Sequence, residues 1–385
     1  MTQFDIIVIG AGPAGCAAAT WAAKQGRSVA LVDKASFPRS KLCGGLFTER
    51  SRKYYRDIFG QDVDLSRAVT RTELSLFHDG QLLAELKDVP PLHLTMRLDL
   101  DATMFAHALA AGVEDFSGCA ISKLTDTTVF FRDGRHIYAP ILIGADGVNS
   151  VVAKQLFGAA FDVATIGFGL EIEAPPETQN PIEHPLRIDF AAAEWGYGWS
   201  FPKTASTTVG VGGLRAANPD MKAHLQHYLN TLGLSKDTLT IKGHHLPFGD
   251  FRARPGRANI LLAGDAAGLV DPITGEGIAF ALKSGQIAAQ AACEALAADA
   301  PSTALKRYIF GLKELHKNLR IARILRRIIF APLWQKALIG SFKRSGTVRT
   351  MYMRLLAGQV EYPEVALRVV GRIPHYLMNA LRRTP

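Results

Sequence analysis

The sequence predicts an α/β protein: a parallel-sheet lobe interrupted by a β-sheet lobe, followed by a helical C-terminal extension. Three observations predict it. An apolar run, Phe4 to Ile9, ends in Gly10-Ala11-Gly12-Pro13-Ala14-Gly15 and leads into an alanine-rich stretch, the pattern of a buried strand, a tight turn and a closely packed helix. Two further apolar runs far along the chain, Ile141 to Gly144 and Asn259 to Ala263, each stop at a loop containing glycine and aspartate. Between them, residues from about Phe161 to about Phe248 are β-rich. A chain of 385 residues, 48% hydrophobic and 21% charged, suits two lobes and excludes disorder, collagen and low-complexity scaffolds.

The elements follow in order. Arg27 to Val32 reads as the second strand of a βαβ unit and ends at Asp33. Asp79-Gly80 and Asp133-Gly134 stand between alternating segments and predict hairpins. Leu98 to Ala111 has helical spacing, as does an amphipathic segment near Asp220 to Leu232, and Pro175 to Pro185 is a proline-rich loop. A long alanine-rich helix is expected from Gly277 to about Ala298. The remainder is helical and basic, punctuated by Pro332, Pro363 and Pro374. This divides the chain into a discontinuous first lobe (1–72, 96–158 and 250–300), a β-rich substrate lobe (73–95 and 159–249) and a basic helical region (301–385).

The GxGxxG loop carries chemistry because of its context. Gly10 permits the turn, Gly12 lets the backbone approach a pyrophosphate, and Gly15 lets helix and strand pack closely. The helix N-terminus offers aligned N–H groups to phosphate charge. Asp33, 18 positions after Gly15, would accept hydrogen bonds from a ribose diol and would repel a 2′-phosphate. The loop is therefore a Rossmann-type site for an unphosphorylated adenosine, and NAD and FAD both satisfy it.

Two more loops resolve that choice by resemblance. Gly144-Ala145-Asp146-Gly147-Val148-Asn149-Ser150 and Gly264-Asp265-Ala266-Ala267-Gly268, with the first loop, resemble the three fingerprints of the FAD-binding superfamily of the glutathione-reductase/p-hydroxybenzoate-hydroxylase type. Three segments narrow the resemblance to the geranylgeranyl reductase family of that superfamily: Pro38 to Gly45 (PRSKLCGG), Tyr197 to Lys203 (YGWSFPK) and Gly264 to Ile278 (GDAAGLVDPITGEGI). The resemblance implies FAD, with Gly10, Gly12, Ala14, Gly15, Asp33, Cys43, Gly44, Arg97, Ile121, Asp265, Gly277 and Ile278 at its site. It implies saturation of carbon–carbon double bonds in an isoprenoid chain by hydride transfer, with Cys43, Tyr197 and Trp199 facing the substrate. Cys43 and Tyr197 are the candidate proton donors. Tyr197 and Trp199, two apart on a strand, should share one face. No second GxGxxG follows, so NAD(P)H or a reduced redox protein is expected to dock transiently as reductant.

Rival readings are an FAD-dependent hydroxylase of a hydrophobic substrate and a non-catalytic flavoprotein that carries electrons or assists maturation. Flavin halogenases carry a WxWxIP strand, from which Tyr197 and Phe201 depart. No metal site is expected: His244-His245 has no ligand partner at metal spacing, and His93 reads as strand surface.

Net charge is +9, yet 17 lysines and arginines against three glutamates place +14 between Pro301 and Pro385, leaving −5 for the first 300 residues. That tail either packs its apolar stripe on the body or meets anionic lipid headgroups; no recognised module supports nucleic acid. Met1 to Asp5 lacks a basic leader, no run of about 18 apolar residues exists to span a bilayer, and the cysteines (Cys16, Cys43, Cys119, Cys293) are too scattered for a disulfide framework. The expectation is a cytoplasmic protein with peripheral contact at the inner membrane face.

Overall fold

The computed structural model describes residues 2–175, 185–234, 239–330 and 339–368. Its centre is a six-stranded sheet in the order Gly256–Arg257, Ile260–Leu262, Ile141–Gly144, Ile6–Ile9, Val29–Val32, Glu114–Phe116, parallel except for the short first strand. Every residue of Ile6–Ile9, Val29–Val32 and Ile141–Gly144 is buried. Continuous apolar runs without alternation demand this, because both faces of a parallel sheet are covered. The first two strands are shorter than the apolar pattern suggested. Asp5 and Ser28 clasp one another instead, Ser28 donating its N–H to Asp5 Oδ2 at 2.9 Å, which ends the ladder at Ile6.

The helices Pro13–Lys24, Arg97–Ala110 and Ile278–Ala297 share an apolar core with this sheet and with a four-stranded sheet made of Thr2–Gln3, Ile121–Leu124, Thr128–Phe131 and His136–Tyr138. Alanine dominates the contact between Pro13–Lys24 and Ile278–Ala297, and small side chains let the two axes come close. At the crossing, a Cβ on Gly285 would stand 2.1 Å from the Ala14 carbonyl oxygen. Gly15 is subject to the same constraint on the strand side: its Cβ would stand 1.7 Å from the Gly10 oxygen.

The β-rich region forms a seven-stranded sheet in the order Lys242–Leu246, Gly167–Ala174, Thr207–Leu214, Tyr197–Pro202, Arg187–Asp189, Leu74–His78, Gln81–Leu86. Both Asp-Gly turns are hairpins. His78 pairs with Gln81 around Asp79 and Gly80, whose φ values of 50° and 70° suit a primed turn. The helix Met221–Thr231 covers part of this sheet through Leu225, Tyr228 and Leu229, against Ile172, Val209 and Val211. A three-stranded sheet of Leu46–Phe47, Leu92–Leu94 and Val69–Arg71 stitches together segments assigned by sequence to both lobes. His93, expected on a strand surface, is buried there, between Thr70 Oγ1 (2.9 Å) and the Glu49 carboxylate (3.2 Å). Its short strand has a neighbour on each side, so it has no solvent edge.

Most of Pro175 to Pro185, with Pro332 and Pro374, lies outside the described residues. Pro363 opens the helical turn of 362–368 rather than ending one, a position where its missing N–H costs nothing. The tail packs on the body. Leu315, Leu319, Ala322 and Leu325 of the helix Lys313–Ile329 are buried, and Phe342, Met353 and Leu356 join the core beneath the seven-stranded sheet. Three polar ties hold it. Arg326 donates to the Phe248 (3.0 Å) and Trp195 (3.2 Å) carbonyls, Tyr362 Oη donates to Asp271 at 2.7 Å, and Glu361 lies 3.3 Å from Arg50.

These close approaches predict a sharp difference among glycines. Gly285→Ala should cost about 3 kcal/mol or more, because backbone oxygen cannot yield to a methyl group. Gly134→Ala, with open space and only a positive φ to strain, should cost about 1 kcal/mol. Urea unfolding of the two variants measures the contrast.

Candidate active site

One cavity of about 700 Å³ runs from the first glycine turn to the seven-stranded sheet. At one end it is bounded by Gly10, Gly12, Ala14 and Asp33, with Ile121 close by beside Cys119 and Ala120. Further along lie Arg97, Cys43 and Gly44, then Asp265, Gly277 and Ile278. Tyr197 and Trp199 form part of its far wall. Gly15 is the exception among the expected residues: it does not line the cavity, because it is spent entirely on packing the helix against Gly10.

Asp33 is preset for a ligand. Its Oδ2 accepts from the Ala11 N–H and its Oδ1 from the Ala35 N–H, both at 2.9 Å, which fixes the carboxylate while leaving lone pairs free. The helix Pro13–Lys24 begins at Gly12 with no side-chain cap, and Ile278–Ala297 begins at Gly277 with none either. Two uncapped helix N-termini therefore bound the same cavity, each offering backbone N–H groups and partial positive charge. A Cβ on Gly12 would meet only Arg39 Nη2 at 3.6 Å, so the space over this turn is open to a ligand rather than to the fold. Asp265 Oδ1 lies 3.8 Å from where a Gly277 Cβ would stand, which brings that carboxylate to the second helix start.

Charge in the walls is arranged around buried carboxylates. Asp101, fully buried, takes both arms of Arg97 at 2.6 and 2.8 Å and lies 3.3 Å from Arg39. Arg39 also lies 3.9 Å from Asp33, so the two guanidinium groups are balanced by two carboxylates, and it is their N–H donors rather than a surplus of charge that suit a diphosphate. Glu276 is held by Thr48 Oγ1 (2.6 Å) and Arg50 (2.8 Å); burial raises its pKa and Arg50 opposes the rise. Lys41 bonds His244 across the cavity edge. Burial and then the Lys41 charge push the imidazole down to about 4, so the histidine is neutral and accepts.

The Cys43–Gly44–Gly45 turn has no spare room. A Cβ on Gly44 would come within 2.9 Å of the Phe201 ring, and one on Gly45 (φ 75°) within 2.0 Å of the Thr95 oxygen. Cys43 Sγ accepts from the Gly45 N–H at 3.3 Å and faces the Arg97 guanidinium, while the Cys43 N–H donates to Glu171 Oε1 at 3.1 Å. The loop is half-buried rather than an exposed excursion.

Tyr197 and Trp199 share one face, their rings edge-to-face at 6.1 Å. The indole lies on a bed of glycines, and a Cβ at Gly169, Gly210 or Gly212 would stand 3.7, 2.3 or 3.3 Å from it. Tyr197 Oη donates to the Thr274 carbonyl at 2.6 Å, and burial pushes its pKa above the ordinary phenol range. Ile188, Phe201, Leu246 and Leu356 complete an apolar end. Reasoning from sequence missed Arg39, Asp101, Glu276, Lys41 and Glu171. Arg39, Lys41 and Glu276 lay within quoted motifs, and nothing local marked Asp101 or Glu171. Among the described residues, no group of histidine, cysteine and carboxylate side chains could hold a metal.

The chain matches, over residues 5–72, a family described as FAD dependent oxidoreductase. It is 30% identical over 315 residues to a geranylgeranyl diphosphate reductase of Rhodobacter capsulatus, covering 78% of each chain. It is also 30% identical over 330 residues to a menaquinone reductase of Mycobacterium tuberculosis, covering 74% of this chain and 76% of that one. The crystal structure of a geranylgeranyl bacteriochlorophyll reductase-like protein from Thermoplasma acidophilum has the same fold, with a TM-score of 0.78 at 22% identity, covering 97% of this chain and all of the other.

The open space over Gly12 separates folding from binding. Gly12→Ala should unfold within about 0.5 kcal/mol of the parent, yet lose FAD on gel filtration, read as the 450 nm to 280 nm absorbance ratio falling at least about tenfold.

Proposed function

The chain belongs to the geranylgeranyl reductase family of FAD-dependent oxidoreductases, and from that premise we propose that it saturates carbon–carbon double bonds in the isoprenoid chain of a lipid. The observation that carries this reading is the apolar end of the cavity, where Tyr197, Trp199, Phe201 and Leu356 meet the Cys43 turn. A greasy slot with few polar groups suits a flexible hydrocarbon better than a hydrogen-bonding ring. Asp33, Arg39, Arg97, Asp265 and the two helix starts are the residues that would hold FAD. When bound and reduced, FAD supplies a hydride to one alkene carbon.

The chain must do the rest. An isolated alkene is a poor hydride acceptor, so alignment and a proton for the second carbon are the protein's contribution. We assign that proton to Cys43 Sγ. Tyr197 is the weaker donor, since its hydroxyl hydrogen is engaged by the Thr274 carbonyl and burial holds it on the oxygen. Tyr197 and Trp199 then serve as walls that orient the chain. NAD(P)H or a reduced redox protein is the transient reductant.

The exposed face of Lys313–Ile329 supports contact with the membrane holding such a substrate. Lys313, Lys317, Arg320, Arg323 and Arg327 line it, with Ile324 63% exposed among them. No described helix is long and apolar enough to cross a membrane.

Three outcomes are expected. Anaerobically reduced protein given an unsaturated prenyl lipid should yield a product heavier by two hydrogens; an unchanged lipid under those conditions, with a product heavier by one oxygen only once air is admitted, would replace reduction with hydroxylation. Cys43→Ala should slow reoxidation of the reduced protein by at least about a hundredfold, and Tyr197→Phe by less than about tenfold. The chain should also sediment with vesicles containing anionic lipid, and Arg320→Glu with Arg323→Glu should release it.

A further inference from the structure

Beneath the cavity, and outside its lining, sits a carboxyl group that the reading above does not use. Glu171, in the strand Gly167–Ala174, is 3% exposed. Its Oε1 accepts the Cys43 N–H at 3.1 Å, and its Oε2 is buried with no hydrogen-bond partner among the described residues. Across the sheet it stands in register with Lys242 on one side and Gly210 on the other. The charged groups around it are few. Lys203 and Lys242 favour its ionised form, while Glu173, two residues along the same strand, opposes it. Glu173 is itself drawn aside by Ser206 (2.7 Å) and Thr208 (2.8 Å). Lys203 also reaches the turn: its Nζ lies 3.2 Å from where a Gly45 Cβ would stand. On the other side of the turn, the Cys43 thiol faces Arg97 and the Gly45 N–H.

We propose that Glu171 is a positioning residue for the Cys43–Gly44–Gly45 turn, gripping it through the Cys43 N–H when ionised and slackening when protonated, so that the charge on one carboxyl under the floor sets how firmly the thiol is presented to the cavity. The turn suits such control because Gly44 and Gly45 are pinned by Phe201 and Thr95, while Cys43, among the described residues, is tied to the sheet below only by this backbone hydrogen bond. A hydrogen bond to a charged acceptor is roughly twice as strong as one to a neutral carboxyl. Burial pushes the Glu171 carboxyl up to about 7, Lys203 restraining the rise, so the change of grip falls near neutral pH. Ionisation increases with pH, and the turn is therefore held above about pH 7 and loosened below it.

The inference rests on the assignment of Cys43 as donor only for its effect on turnover; the grip itself is measurable without any substrate. Hydrogen–deuterium exchange of the peptide covering residues 40–47, corrected for intrinsic exchange, should show protection about tenfold greater at pH 8 than at pH 6 in the parent. Glu171→Gln keeps an acceptor but no charge, and should show equal protection at both values. Lys203→Gln should move the step to higher pH, a shift that a purely structural Glu171 would not produce. In the FAD-loaded protein with a prenyl lipid, the rate of reoxidation should carry the same step in the parent and lose it in Glu171→Gln, with KM within about twofold, since the turn governs the thiol rather than the apolar slot. A parent without the exchange step, or a step surviving in Glu171→Gln, overturns the proposal. If Glu171→Gln does not fold, an unmoved step in Lys203→Gln does so as well. An exchange step of the expected form without turnover of any prenyl lipid supports the grip and rejects the substrate reading.

Discussion

Backbone meets backbone at the heart of this protein, and the rest of the structure depends on that contact. The helix Pro13–Lys24 is pressed between the Gly10 carbonyl on one side and Gly285 on the other, with no side chain intervening at either point. Close packing of this kind fixes position more firmly than apolar burial, which is tolerant of small shifts. It brings the N-terminus of that helix to the lip of the cavity and aligns it with the start of Ile278–Ala297. The two helix ends then face one space, and the carboxylates at Asp33 and Asp265 mark its length.

Around that frame, the buried charges follow a consistent economy. Asp101 is matched by two arginines, and Glu276 by an arginine and a threonine. Charges removed from water in this way are tolerable only when their lone pairs and protons are occupied. Glu171, like Asp189, leaves one buried oxygen without a partner among the described residues. Its neighbours soften the penalty without removing it, which is why its proton is held far more tightly than that of an ordinary glutamate.

Much of this was legible along the chain because glycine advertises geometry. The turns at Gly10, Gly44–Gly45, Gly264 and Gly275 are places where any Cβ would collide or φ is positive, and the residues beside them are the ones that bound the cavity. The buried parallel strands were equally plain, being short apolar runs with no alternation. What could not be read lies where partners are distant in sequence. Asp101 is an unremarkable acid on a helix until Arg39 arrives beside it, and the glycines under Trp199 look like ordinary strand residues until the indole is laid across them. His93 misled for the same reason: a polar residue between apolar ones suggests a wet face, and only the neighbouring strands bury it. The tail's charge was visible, but not that Tyr362 and Glu361 reach back to Asp271 and Arg50.

That last reach has a bearing on how the molecule is made. Asp271 and Tyr362 are 91 residues apart, so at roughly 5–20 residues per second a ribosome needs on the order of 5–20 s between delivering one and the other. Within that interval come Leu356, a wall of the cavity's apolar end, and the residues from Ala304 to Leu319 that complete the core of the first sheet. Chaperone attendance during those seconds, rather than after release, would be the cell's natural answer.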